Sequence, residues 1–252
     1  ITNDEVHTPE GKKPYVVPRA LRDDELPTIV SGFQKAAENA KTAGFDGIEI
    51  HGANGYLLDE FLREGSNTRT GRYGGTVENR ARLMLEVLEA VSAVWESHCV
   101  GLRISPLNSY NSMLDSHPVE LSLWLAKRLN DLNLAYLHVM RGDFFQQQRG
   151  DIMTPIRQNY KGVLIGNMGY SASEADLAIK MGYTADEATK AIADGSLDAV
   201  AFGTSFLANP DLPVRIKAGA ALNEPDAATF YTPGPGGYVD YPALNLDKGC
   251  SL

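Results

Sequence analysis

Five apolar runs recur along the chain after residue 44: FDGIEIHG (45–52), VGLRISP (100–106), LAYLHVM (134–140), GVLIGNM (162–168) and LDAVAFG (197–203). Stretches with a helical spacing of apolar positions separate them. LPTIVSGFQKAAENAKTAG precedes the first run and stops at Gly44, a helix C-terminal signal. TVENRARLMLEVLEAVSAVW (76–95) and PVELSLWLAKRLNDL (118–132) carry the same period. Short apolar runs alternating with helices predict parallel strands joined by right-handed crossovers. Each run ends in a polar or glycine-containing loop, and in parallel α/β folds ligands sit at that carboxyl end.

Three stretches depart from the rhythm. Residues 1–27 are polar and carry Pro9, Pro14, Pro18 and Pro27, which predicts a short hairpin or lid over about residues 5–20. GYSASEADLAIKM (169–181) and GYTADEATKAIAD (182–194) are near-copies in tandem. In both, Ser or Thr is followed three residues later by Glu, a capping box, so each copy can start a helix. A crossover needs one helix, so one copy is expected to fill the slot while the other is displaced or continues it. An added recognition element is the other reading. TFYTPGPGGYVDYPALN, near the C-terminus, is rich in Gly, Pro and Tyr and predicts irregular structure. The whole chain, 1–252, reads as one domain.

Composition narrows the function classes. With 43% hydrophobic and 22% charged residues the chain is of ordinary globular make-up. A net charge of −9 argues against nucleic acid, whose binders concentrate Lys and Arg, but leaves room for a small anionic ligand. Cys99 and Cys250 form no disulfide framework or zinc site, which implies a reducing, cytoplasmic setting. No run reaches the roughly 18 apolar residues of a membrane span, so no membrane partner is expected. No His/Cys/carboxylate cluster has metal-ligand spacing. Ile1 opens the chain without Met, as expected of a processed chain or a fragment.

The densest chemistry follows the first run. His51, Asn54 and Tyr56 fall within six residues, spaced by Gly52 and Gly55. Placed one helical turn apart, His51 and Asn54 can each donate a hydrogen bond to one oxygen, polarising a carbonyl or nitro group or holding a phenolate. A phenol at Tyr56 can then protonate a carbanion beside the polarised group. The two glycines are expected to let the backbone turn tightly. Arg103 interrupts VGLRISP, and a charge within an apolar strand is costly unless paired. Two readings stand: a buried ion pair with Asp or Glu, or a guanidinium facing an electron-rich ligand. LIGNMG and AFGTSF end their strands with exposed backbone amides, at the last two loops of a parallel barrel, a common phosphate site. His138 reads as a satisfied strand histidine; Arg63, Arg69 and Arg72 as a surface network; Trp95 and Trp124 as core.

HGANGYLLDEFL, NTRTGRYGGTVENRARLMLEV, VGLRISP, LIGNMGY, AFGTSFLANPDLP and TFYTPGPGGYVDYPAL together resemble the old yellow enzyme family, flavin-dependent ene-reductases and nitroester reductases on a (β/α)8 TIM barrel. The resemblance runs from about residue 5 to 244. It implies FMN, reduced by NADPH or NADH, and hydride transfer to an activated alkene or reduction of a nitrate ester. By motif, His51 and Asn54 would hold the activating oxygen and Tyr56 would protonate the α-carbon. Arg103 would sit beside the flavin ring. Gly166, Asn167, Met168 and Gly203 would offer amides to its phosphate. Tyr231 would line the substrate mouth, and the 6–18 hairpin would be the lid.

The chain also departs from the family. Thr204 stands where most members carry a phosphate-clamping Arg, a loss typically worth about 1.5–3 kcal/mol. The tandem copies lie between the two phosphate-binding strands. The runs match family strands four to eight only, and five strands cannot close an eight-stranded barrel. The fold expected is therefore a partial TIM barrel whose first three strands come from elsewhere, a companion chain included. Beside a flavin oxidoreductase, two other readings remain. One is an inactive fragment associating through open sheet edges. The other is a flavin-free barrel aldolase or isomerase, which a catalytic Lys at a strand end would favour; no run contains one.

Overall fold

A computed structural model describes residues 5–8, 10–143, 145, 147–168 and 182–244. Each apolar run contains a strand: Ile48–Gly52 (β3), Val100–Ile104 (β4), Tyr136–Met140 (β5), Leu164–Asn167 (β6) and Ala199–Val200 (β7). They form one parallel sheet in the order β3-β4-β5-β6-β7, so every strand pairs with its neighbour in sequence. That order is the signature of successive βα units curling in one direction. Ahead of them, Glu5–Thr8 (β1) and Gly11–Pro14 (β2) make an antiparallel hairpin. It is shorter than the 5–20 expected, because the ladder stops at Pro14, which has no N–H to extend it.

Helices cover one face of the sheet. Leu26–Thr42 (α1) carries Pro27 in its first turn, where the missing N–H costs nothing, and ends before Gly44 at φ 86°. Leu57–Leu62 (α2) follows β3 after a short turn. Val77–Ser92 (α3) is capped by Thr76, whose side chain accepts from the Asn79 N–H. Its apolar stripe, Leu83, Met84, Val87, Leu88 and Val91, is completely buried. Pro118–Leu129 (α4) and Met153–Asn159 (α5) cross over between β4, β5 and β6. Trp95 packs in the core, its indole N–H donating to Ala37 O at 2.9 Å, and Trp124 packs against it.

The second tandem copy builds the crossover before β7. Ala185–Ala193 (α6) starts at a complete Thr184/Glu187 capping box and buries Ala188. The first copy, 169–181, lies outside the described residues. Thr204–Ala208 (α7) and Leu212–Ala218 (α8) close the chain's regular structure. The Gly/Pro/Tyr stretch beyond is irregular apart from a single turn at Ala227–Thr229, as its composition predicts. Buried Arg215 ties it back, donating to Ala221 O at 2.6 Å and Pro242 O at 2.7 Å.

The two faces of the sheet differ sharply. Ile50, Leu102, Leu137, Val139 and Leu164 point at the helices and are buried. On the opposite face Glu49 and His51 are exposed and Arg103, His138 and Asn167 are half-exposed. In a closed barrel this second face is the interior. Five strands leave it open, and it carries charge where an ordinary interior layer carries branched apolar side chains.

Candidate active site

β3 delivers His51 to the open face, and the chain then turns before α2. Asn54 sits in the left-handed region at φ 60° and Gly55 follows at φ 72°. The helical turn expected between His51 and Asn54 is therefore absent. Asn tolerates this conformation better than most residues because its short side chain bonds locally. Gly55 is required there twice over: a Cβ would also meet Tyr110 O at 2.9 Å and Asn111 Cβ at 2.7 Å. Gly52 has another role than the turn assigned to it from sequence. A Cβ at Gly52 would meet Met84 Cε at 2.7 Å, so it permits close packing of β3 on α3.

The turn brings the Tyr56 ring back beside His51, with centroids 5.5 Å apart. Tyr56 is 57% exposed on the open side. Across the sheet register His51 pairs with Arg103, which pairs with His138. Burial and the nearby Arg103 cation lower the His51 pKa below the usual imidazole value, against a smaller raising by Glu49. The shift favours the neutral imidazole, which can donate one N–H. Removing the cation must reverse its share of the shift. Arg103→Leu is expected to raise the His51 midpoint toward its ordinary value, followed by NMR titration of the ring protons; an unchanged or lower midpoint would exclude the coupling.

Of the two readings left open for Arg103 by sequence, the ion pair is not found: among the described residues no carboxylate lies within salt-bridge distance of Arg103. Its Nη2 donates to Asn167 Oδ1 at 2.9 Å, and Asn167 Nδ2 donates onward to Ala201 O at 3.1 Å. Burial lowers its pKa, with Glu49 acting in the opposite direction. A half-buried cation bonded only to a neutral amide, on the open face, suits an electron-rich planar ligand. Gly166, Asn167 and Met168 lie at the end of β6. Gly203 and Thr204 lie at the start of α7, where a Cβ on Gly203 would meet nothing within 4 Å. Gly203 leaves its backbone approachable by a phosphate group, whereas Gly166 is buried beneath Leu197 and the Tyr183 hydroxyl. With Arg103 on the open face, the exposed backbone at the end of β6 and the start of α7 fits a flavin mononucleotide.

Tyr231 is 97% exposed and belongs to a phenol-rich rim. Burial raises the Tyr110 pKa, helped by the Tyr56, Tyr15 and Tyr231 phenols around it. The hairpin side reaches the same place, since the Tyr15 hydroxyl bonds Asn111 Oδ1 at 3.3 Å.

Several residues holding the site were not singled out from sequence. Ser105 Oγ accepts the Asn54 N–H at 2.8 Å, Asp59 Oδ2 accepts the Gly55 N–H at 3.0 Å, and Asn108 Nδ2 donates to Asn54 Oδ1 at 3.1 Å. Asp59 had a local signal, a carboxylate four residues after Gly55. Arg63 corrects the surface network: Arg69 and Arg72 do pair with Asp23 and Glu86 at the surface, but Arg63 is 0% exposed. It donates to Ser105 O and Met113 O at 3.0 and 2.8 Å. His138 is only half-satisfied. Its Nδ1 lies 2.9 Å from Glu49 Oε2, while its buried Nε2 has no partner among the described residues. Tyr136 stands on the same face, its pKa pushed up to about 12 by burial and by Glu49.

Successive parallel βα units with polar chemistry at the strands' carboxyl ends define a partial (β/α)8-barrel enzyme fold. A family model described as the NADH:flavin oxidoreductase / NADH oxidase family matches residues 2–223, and the chain belongs to that FMN family. It is 49% identical to a "Probable flavin mononucleotide-dependent alkene reductase" of Leishmania infantum, over 92% of this chain and 60% of that one. Among solved structures, the old yellow enzyme from Trypanosoma cruzi superposes with a TM-score of 0.86 at 45% identity, over 93% of this chain and 60% of that one. Morphinone reductase in complex with tetrahydroNAD superposes with a TM-score of 0.84 at 40% identity, over 98% and 64%. The chain thus spans about 60% of the length of these relatives. FMN and a nicotinamide, expected from the sequence, are the cofactor and reductant of this family.

Proposed function

We propose that this chain carries the substrate-activating half of an FMN-dependent reductase, which takes hydride from NADH or NADPH and reduces activated alkenes or nitrate esters. The observation that carries the reading is the His51 imidazole set beside the Tyr56 ring, with centroids 5.5 Å apart, and across the register from Arg103, which bonds the neutral Asn167 amide. FMN, when bound, supplies the hydride. His51 and Asn54 hold the substrate's carbonyl or nitro oxygen, drawing electron density from the adjacent double bond. The Tyr56 hydroxyl delivers the proton to the α-carbon. Arg103 places positive charge beside the flavin ring. The amides of Gly166, Asn167, Met168, Gly203 and Thr204 take the phosphate without the Arg clamp. Tyr231 lines the mouth and the hairpin covers it.

The open inner face requires the remaining barrel strands. These come from sequence beyond this chain, on the same polypeptide or on a companion. In their absence the chain is expected to hold FMN poorly and to associate through its open edges. Among the described residues no helix is long and apolar enough to cross a membrane.

The direct test is anaerobic. With the remaining barrel strands supplied, the FMN-loaded protein should be bleached by NADPH or NADH and regain its oxidised spectrum on adding 2-cyclohexenone, with cyclohexanone as product. Bleaching by neither nicotinamide, or reoxidation only by oxygen, would contradict the reading.

A further inference from the structure

The turn carrying Asn54 has its backbone and its side chain fixed by separate partners. Ser105 and Asp59 hold the backbone through the N–H groups of Asn54 and Gly55. Asn108 holds the side chain, its Nδ2 donating to Asn54 Oδ1 at 3.1 Å. Asn108 is itself 0% exposed, so water cannot substitute for either of its partners.

The carboxamide of Asn108 has only one orientation that satisfies its surroundings. Its Oδ1 accepts the backbone N–H of Tyr110 at 3.3 Å. A backbone N–H only donates, so the atom facing Tyr110 is the oxygen and the atom facing Asn54 is the nitrogen. A carboxamide nitrogen only donates, so Asn54 must answer with its oxygen. The Asn54 NH2 group is thereby turned away from Asn108, and it has no hydrogen-bond partner among the described residues. Reversing Asn54 would set two NH2 groups against each other, leaving the donor of the fully buried Asn108 unsatisfied.

We infer that Asn108 is a positioning residue that sets the polarity of Asn54. A backbone N–H, relayed through one buried amide, makes Asn54 a donor on its free side. With the neutral His51, this gives the site two donors for one acceptor oxygen and selects carbonyl, nitro and phenolate ligands against ligands that offer N–H. The inference rests on the reading that Asn54 touches the ligand oxygen.

The test compares Asn108→Asp with Asn108→Ala in the FMN-loaded protein, with para-chlorophenol as probe. Spectral titration at about pH 9 keeps a buried carboxyl ionised. Asp is isosteric and keeps the acceptor for the Tyr110 N–H, so a merely structural role predicts that it is the milder change. The polarity role predicts the reverse order. An ionised carboxylate accepts from Asn54, turns its oxygen toward the ligand and weakens phenol binding by about 10–100-fold, whereas Ala frees the amide and costs less. Flavin content and thermal midpoint check folding. In an Asn54→Ala background neither Asn108 variant should weaken binding further, and this arm decides the matter even where Asn108→Asp folds poorly, through Asn108→Ala. Loss with Asn54→Ala, but Asn108→Asp binding like the parent protein or better than Asn108→Ala, overturns the polarity inference alone. No loss with Asn54→Ala overturns the site reading, and the inference with it.

Discussion

Replacing Tyr56 by Phe is expected to slow enone reduction by about 10²–10⁴-fold while leaving flavin reduction by the nicotinamide unchanged. The Tyr56 hydroxyl has no hydrogen-bond partner among the described residues, and the ring is more than half exposed. Removing one oxygen therefore costs the fold little. The ring itself, against His51, remains in Phe. The loss should fall on the half-reaction that puts a proton on carbon. A nitrate ester needs no carbon protonated, so its reduction should survive the substitution. Stopped-flow measurement of the two half-reactions with an enone and a nitrate ester separates the cases. Equal slowing of all three rates would mean that Tyr56 shapes the site and does not donate.

Arg63→Met is expected to be the most damaging single change to stability, at roughly 3–5 kcal/mol. Arg63 is completely buried, 3.8 Å from equally buried Asp59, and it satisfies two backbone carbonyls of the β4 loop, Ser105 O and Met113 O. Its removal leaves the buried Asp59 without its counter-charge, while Ser105 O, Met113 O and Asp59 Oδ2 keep only the Asn108 N–H, the Gln148 side-chain amide and the Gly55 N–H. The pH dependence carries a definite sign. Burial pushes the Asp59 pKa up to about 6 from 3.8, although Arg63 pulls the other way. A carboxyl raised on folding favours the folded state below its unfolded pKa, and that advantage fades as pH rises through about 6. Without Arg63 the carboxyl rises further, so the deficit of the variant should be larger at about pH 8 than at about pH 5. Urea unfolding of the FMN-loaded protein at both pH values reads this directly. A deficit that grows toward acid would contradict it.

The parts of this architecture that are local in sequence could be read from it. Alternating apolar runs gave the strand order, since each βα unit buries its own stripe against its neighbour. Thr76 and Thr184 announced helix starts, and Gly44 a helix end. His51 and Tyr56 were visible because they lie five residues apart on one turn. What stayed hidden depends on distant chain. Arg63 looks like its neighbours Arg69 and Arg72, and only the β4 loop folding over it, 42 and 50 residues on, decides that it is buried. Ser105 and Asn108 look like loop polar residues until the turn at Asn54 settles on them. The left-handed Asn54 was likewise hidden, because a His-x-x-Asn spacing suggests a helical turn as readily as a kinked one. The half-satisfied His138 was hidden too, because its bond to Glu49 spans 89 residues and its Nε2 is buried without a partner among the described residues.

The central claim is that His51 and Asn54 bind one oxygen of a ligand lying over the flavin. A para-substituted phenol, titrated into the FMN-loaded protein, tests it without turnover, because a phenolate stacked on oxidised flavin produces a new long-wavelength absorbance. The account predicts that this band saturates in the parent protein. In His51→Ala and in Asn54→Ala it should need at least about tenfold more phenol, with FMN still bound. The same band at the same phenol concentration in the double variant would contradict it.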